Sequence, residues 1–268
     1  MKIYMSYWSG GYQKTPNDYV LGLHKLSASY AVKHYKEITL ITDSKSKHLF
    51  RDAPFTNITT DLDVFDGVEN RNWALGKLYA YKLLAEKEEP FLHIDYDVLL
   101  MKPIPEEFIQ NDIVVQSTEV YAYDQYKLEK FYANIGEKYE FELPDKTHKA
   151  YNMGIFGGTN YEFIKKYAKS ALDFSLDAKN KDVFEVMYKE RTWMPATISE
   201  QYYLWLLAKK YGITVTTYLD GDDSDRISKI KLDNDAIKKG YVHIQNAKNS
   251  AVVQSRVYMK LKQLAETL

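Results

Sequence analysis

Through the N-terminal third of the chain, short apolar segments that stop at turn residues alternate with segments whose apolar residues recur at helical spacing. Few folds accommodate that order. Residues 2–8 (KIYMSYW) end at Ser9-Gly10-Gly11, and a helical face follows across 19–35 through Leu21, Leu23, Leu26, Tyr30 and Val32. Residues 37–43 (EITLITD) supply a second strand ending at Asp43. The alternation in 58–65 (ITTDLDVF) predicts a third strand, 72–87 a helix through Trp73, Leu75, Leu78, Tyr79 and Leu83, and 91–100 (FLHIDYDVLL) a continuous strand. A β-α-β-α-β opening predicts an α/β fold with a doubly wound, mostly parallel central sheet flanked by helices. Ligands of such sheets sit beyond the carboxyl ends of the strands, so motifs at strand ends matter most.

Further along, strands are expected at 112–117, 152–158, 213–218 and 241–245, and helices near 160–176 and 199–211. Ser199 is placed to cap the second of these. No repeat and no linker rich in Pro, Gly or Ser divides the 268 residues, which are read as a single domain. The irregular polar stretch near 120–150 is the place for a lid or acceptor-binding insertion.

Composition removes several classes of function. Lys plus Arg number 36 against 37 Asp plus Glu, so there is no basic excess for a nucleic acid partner. The absence of cysteine excludes thiolate metal sites, disulfides and thiol nucleophiles, which leaves oxygen and imidazole as metal ligands. Neither a signal-peptide run nor the roughly 18 apolar residues of a membrane span is visible, and the expectation is a cytoplasmic protein. The basic, apolar end at Arg256, Met259, Lys260 and Lys262 suits peripheral contact at the inner membrane face, or simply a last amphipathic helix. The 24 tyrosines are read mainly as amphipathic residues at the margin of the core.

The feature with most chemistry in it is Asp95-Tyr96-Asp97. On an uninterrupted strand both carboxylates would point to one side, close enough to share a hard cation. Burying unpaired carboxylates costs several kcal/mol each, so the pair demands a cation, donors or water.

Three later segments follow in order: Asn152-Met153-Gly154-Ile155-Phe156-Gly157, then Ser199-Glu200-Gln201, then His243 in YVHI with Lys248 beyond it. Taken with the D-x-D, its apolar pair and Lys102-Pro103-Ile104-Pro105, this order resembles the A-type, nucleotide-sugar-dependent glycosyltransferases, most nearly the retaining galactosyltransferase and glycogenin group. That group usually continues H-x-x-G-x-x-K. Here the run is His243-Ile244-Gln245-Asn246-Ala247-Lys248, without the Gly and with the Lys one place early.

The resemblance implies transfer of a hexose from a nucleoside diphosphate sugar, a UDP-sugar foremost, to a hydroxyl of a glycan or lipid-linked acceptor. It implies Mn²⁺ or Mg²⁺ held by Asp95, Asp97 and His243. Asn152 and Gly154 would lie beside the donor sugar, the amide bonding hydroxyls and the glycine admitting close backbone approach. Lys248 would reach the diphosphate, Lys77 and Asp95 would serve the donor, and Tyr7 and Trp8 would flank the nucleobase or else pack in the core. Glu200 and Gln201 would act at the anomeric carbon. Two other readings stand beside this one: a sugar nucleotidyltransferase, poorly matched by the Ser9-Gly10-Gly11 loop, and a non-catalytic nucleotide- or carbohydrate-binding subunit.

Overall fold

The computed structural model describes residues 1–12, 18–120, 149–220 and 238–244. Seven strands form the central sheet: β1 Lys2–Ser6, β2 Glu37–Ile41, β3 Asn57–Thr59, β4 Phe91–Ile94, β6 Ile113–Val120, β7 Lys149–Gly158 and β8 Val215–Thr217. Their order is β3-β2-β1-β4-β7-β6-β8. All run one way except β7, which is antiparallel to both of its neighbours. The expected doubly wound, mostly parallel sheet is present. Strands β5 Val98–Leu100 and β9 Tyr241–His243 make a separate antiparallel pair.

Alternating side chains feed two cores. Tyr4, Phe91, Ile113, Val115 and Phe156 face the helices Ala74–Ala85, Tyr161–Leu176 and Tyr203–Tyr211. Ile3, Met5, Leu92, Ile94, Val114 and Ile155 face the other layer, with Ala28 and Ala31 of the helix Asp18–Ala31. The strand order reverses between β1 and β4, and in open α/β sheets that reversal opens a crevice at the carboxyl ends. The described residues contain no helix long and apolar enough to cross a membrane.

Four local expectations need correction. β3 ends at Thr59, and Asp61–Phe65 is a 3₁₀ turn that buries Leu62 and Phe65. Residues three apart eclipse in such a turn, so the apparent alternation of ITTDLDVF belongs to two elements. The strand across 91–100 breaks at the D-x-D into β4 and β5. Helices Lys181–Glu190 and Met194–Thr197, which the apolar spacing did not reveal, precede the 199–211 region. Ser199 is no N-cap: it lies inside a continuous run from Met194 to Tyr211, started by Pro195, and its hydroxyl donates to Pro195 O at 2.7 Å. The expected lid falls at 121–148, and Lys248 and the basic C-terminal segment at 245–268; both lie outside the described residues.

Candidate active site

At the carboxyl end of β4 the chain turns instead of continuing. Asp95 N–H donates to Gly154 O across the β4–β7 pair (2.9 Å), and Val98 N–H closes back onto Asp95 O (3.0 Å). Tyr96, at the middle of the turn, stacks on His24 with ring centroids 4.4 Å apart and 5° between planes. The turn thus does what strand alternation was expected to do, and brings Asp95 and Asp97 to one place. The pairing of β5 with β9 sets Val98 opposite His243, and Ile244 N–H donates to Asp97 O at 2.8 Å. His243 Nε2 stands 3.4 Å from Asp97 Oδ1, with the two side chains 9% and 2% exposed.

Asp95, Asp97 and His243 each offer one ligand atom, and these atoms lie within 4.8 Å of one another. Two carboxylates and an imidazole are hard and borderline donors that suit Mn²⁺ or Mg²⁺. The residues therefore fit a divalent ion, and the three that meet are the three the sequence nominated.

Beside this group lies a buried charge network. Lys77, on the helix Ala74–Ala85, reaches Asp95 Oδ1 at 2.7 Å and Glu200 Oε1 at 2.5 Å. Tyr81, one helical turn beyond Lys77, donates to the same Glu200 oxygen at 2.8 Å. Two carboxylates share one ammonium, so burial and ion pairing oppose each other at both Lys77 and Glu200. Burial pulls the Lys77 ammonium down, but Asp95 and Glu200 together outweigh it and hold the pKa above the usual lysine value. Burial pushes the Glu200 carboxyl up, with Lys77 opposing and Asp95 adding to the rise.

Glu200 sits in a π-helical segment, Ile198–Tyr202, a distortion frequent at functional sites. Tyr167 steadies that segment by donating to Glu200 O at 2.9 Å. Asn72, just before the helix that carries Lys77, donates to Ser199 Oγ at 2.8 Å. Burial drives His93, under the network on β4, well below the usual histidine pKa, and the Lys77 charge adds to that. It is a neutral core residue bonded to Ser6 (3.0 Å).

The β6–β7 pair contributes a third group. Asn152 Oδ1 accepts from Gly154 N–H at 3.0 Å, and its Nδ2 donates to buried Glu119 at 3.2 Å. A Cβ on Gly154 would fall 2.3 Å from Gln116 Oε1 and 2.7 Å from His243 Nδ1. The glycine is thus required by the packing of those two side chains. Gln201 is half-buried next to Glu200. Tyr7 and Trp8 are buried at the end of β1, Tyr7 tilted against Phe50 (5.2 Å) and Trp8 against Phe65 (5.1 Å).

Gln116, Glu119, Tyr81, Tyr167 and Asn72 are site neighbours that sequence reasoning missed. Tyr81 alone carried a signal, four residues after Lys77 and so on the same helix face. The others are brought in by elements distant in the chain.

A family model described as "Family of unknown function (DUF6734)" matches residues 1–266. No curated protein matches the chain. Among solved structures, mouse xyloside xylosyltransferase 1 in its apo form is similar at 12% identity and TM-score 0.44, over 82% of this chain and 84% of that one. The galactosyltransferase LgtC, in complex with donor and acceptor sugar analogues, is similar at 11% identity and TM-score 0.46, over 100% of this chain and 96% of that one. The CTP:phosphocholine cytidylyltransferase LicC of Streptococcus pneumoniae is similar at 12% identity and TM-score 0.43, over 97% of this chain and 98% of that one.

Proposed function

The chain belongs to the DUF6734 family, whose description assigns no function, and from its site we propose that it is a metal-dependent glycosyltransferase. The donor in this reading is a nucleoside diphosphate sugar, a UDP-hexose foremost, and the acceptor a hydroxyl of a glycan or lipid-linked glycan. One observation carries the reading. Asp95, Asp97 and His243 converge where the sheet order reverses, and Asp95 shares the Lys77 ammonium with Glu200. A cation site and a pinned carboxylate are thereby tied through one ammonium.

In this mechanism Asp95, Asp97 and His243 hold the ion, Mn²⁺ or Mg²⁺. When bound, it neutralises the charge that grows on the departing diphosphate. Lys77 keeps the Asp95 and Glu200 carboxylates fixed in the presence of substrate, so little reorganisation is needed as charge develops. Glu200 Oε1 is held by Lys77 and Tyr81, and in this reading the Glu200 carboxylate and the Gln201 amide act at the anomeric carbon. In this reading Asn152 and Gly154 lie beside the donor sugar, and Lys248 serves the diphosphate. Tyr7 and Trp8 form the floor under the nucleobase. The Glu200–Gln201 pair favours retention of anomeric configuration.

Calorimetric titration with UDP, in Mn²⁺ and again in EDTA, tests this reading. Binding that needs the metal and disappears in Asp97→Asn is expected. Absence of binding in both buffers would overturn the UDP-sugar assignment. Metal-dependent UDP binding with no hydrolysis or transfer from any UDP-sugar would favour a non-catalytic binding subunit instead.

A further inference from the structure

β6 and β7 do not pair evenly. The register slips between Val115 and Ser117, where the one β6 residue Gln116 stands opposite three of β7, Met153 to Ile155, so β7 bulges across from Gln116. Bulges are frequent beside active sites, and this one carries Gly154 past the Gln116 side chain, which lies at the metal group. Its Oε1 lies 2.7 Å from His243 Nδ1 and 2.6 Å from the Tyr241 hydroxyl. The main chain at the same residue is pinned as well, with Leu219 N–H donating to Gln116 O at 2.8 Å. Space for the contact exists because Gly154 has no side chain: any Cβ there would overlap Gln116 Oε1.

An amide oxygen only accepts, so the contact requires His243 to carry its proton on Nδ1. In the neutral ring, the form that ligates a metal, Nε2 is then the lone-pair nitrogen, and Nε2 is the atom that faces Asp97. A histidine that ligates a metal commonly donates its other ring N–H to an oxygen, which fixes tautomer and ring orientation.

We infer that Gln116 is the positioning residue of the metal group. Seated opposite the β7 bulge, in the space left by Gly154, it holds His243 as the Nδ1–H tautomer with Nε2 ready to coordinate. Tyr241, two residues before His243 on β9, donates to the same oxygen and holds the amide in the accepting orientation. This inference rests on the metal-site reading above, which makes His243 a ligand that must present Nε2 unprotonated.

The test uses the full chain and manganese chloride alone as the probe. Long-range nitrogen–proton correlation spectra of the metal-free wild type, with His243 assigned by its absence in His243→Gln, should show Nδ1 protonated and Nε2 bare. Gln116→Leu should lose that tautomer preference and about 10–100-fold in Mn²⁺ affinity by calorimetry. Gln116→Glu, which still offers an acceptor oxygen, should keep both. A wild-type spectrum with the proton on Nε2 would overturn the inference whatever the variants do. So would a Gln116→Leu protein that binds Mn²⁺ within about threefold of wild type. Failure of the wild type itself to bind Mn²⁺ would instead sink the metal-site reading, which the two kinds of measurement keep apart. A role in folding alone would lower the thermal midpoint of Gln116→Glu and Gln116→Leu alike and would not sort them by acceptor chemistry.

Discussion

Replacing Lys77 by methionine keeps most of the side-chain volume and removes the ammonium that Asp95 and Glu200 share. The two ion pairs that this breaks are 2.7 Å and 2.5 Å long, and the three side chains are 12%, 23% and 4% exposed. At an effective dielectric of about 20, each ion pair of that length is worth roughly 6 kcal/mol before solvation is counted. Desolvating the ammonium offsets several kcal/mol of this, and deleting one partner of a buried ion pair leaves a net loss of about 3–5 kcal/mol. For a domain of this size, that lowers the thermal midpoint by roughly 6–20 °C. The pH dependence is specific. Glu200 already has its folded pKa above the ordinary 4.5, so its contribution to stability falls as pH rises through the folded value. Without Lys77, which lowers it, the folded pKa climbs further. The variant's deficit should therefore be largest at neutral and alkaline pH and shrink as acid neutralises the carboxyl. Denaturant melts of wild type, Lys77→Met and Lys77→Met with Glu200→Gln at pH 5 and pH 8 measure this. The double variant should recover part of the loss at pH 8. A deficit below about 1 kcal/mol at pH 8, or one equal at both pH values, would refute the shared-ammonium account.

Tyr81→Phe removes one hydroxyl from the Glu200 oxygen and should cost about 1.5–3 kcal/mol by denaturant melt, with Glu200 titrating higher still. Gly154→Ala places a Cβ against Gln116 and His243 and should weaken Mn²⁺ binding in calorimetry, at a stability cost of about 1–3 kcal/mol. Gly212→Ala acts on conformation alone. Its φ of 63° ends the helix Tyr203–Tyr211 in open space, so a loss of about 1–2 kcal/mol with unchanged metal affinity is expected.

Much of the central sheet can be read from the chain because each strand and helix carries its own periodicity. β1, β2 and β4 are short apolar runs ended by turn residues, and the helix Tyr161–Leu176 follows a side-chain N-cap at Asn160. The readings that failed are those in which two elements share one pattern. Asp95 and Asp97 were legible as a pair, yet the reason they meet is a turn. Pro195 starts the helical run earlier than Ser199 suggested, because a proline near the helix start competes with the more familiar cap.

By itself the sequence determined the two-period pattern that makes an α/β sheet, the exclusion of thiolate ligands, and the carboxylates, imidazole and lysine available for chemistry. These are local properties, set by side-chain spacing and donor type. Tertiary structure decided the reversed direction of β7, the pairing of β5 with β9 that carries His243 to Asp97, and the lysine shared by Asp95 and Glu200. It also decided that Gly154 makes room for Gln116. Each of those depends on which distant segments pack together, and burial gives such interactions their energy only once the chain has closed around them.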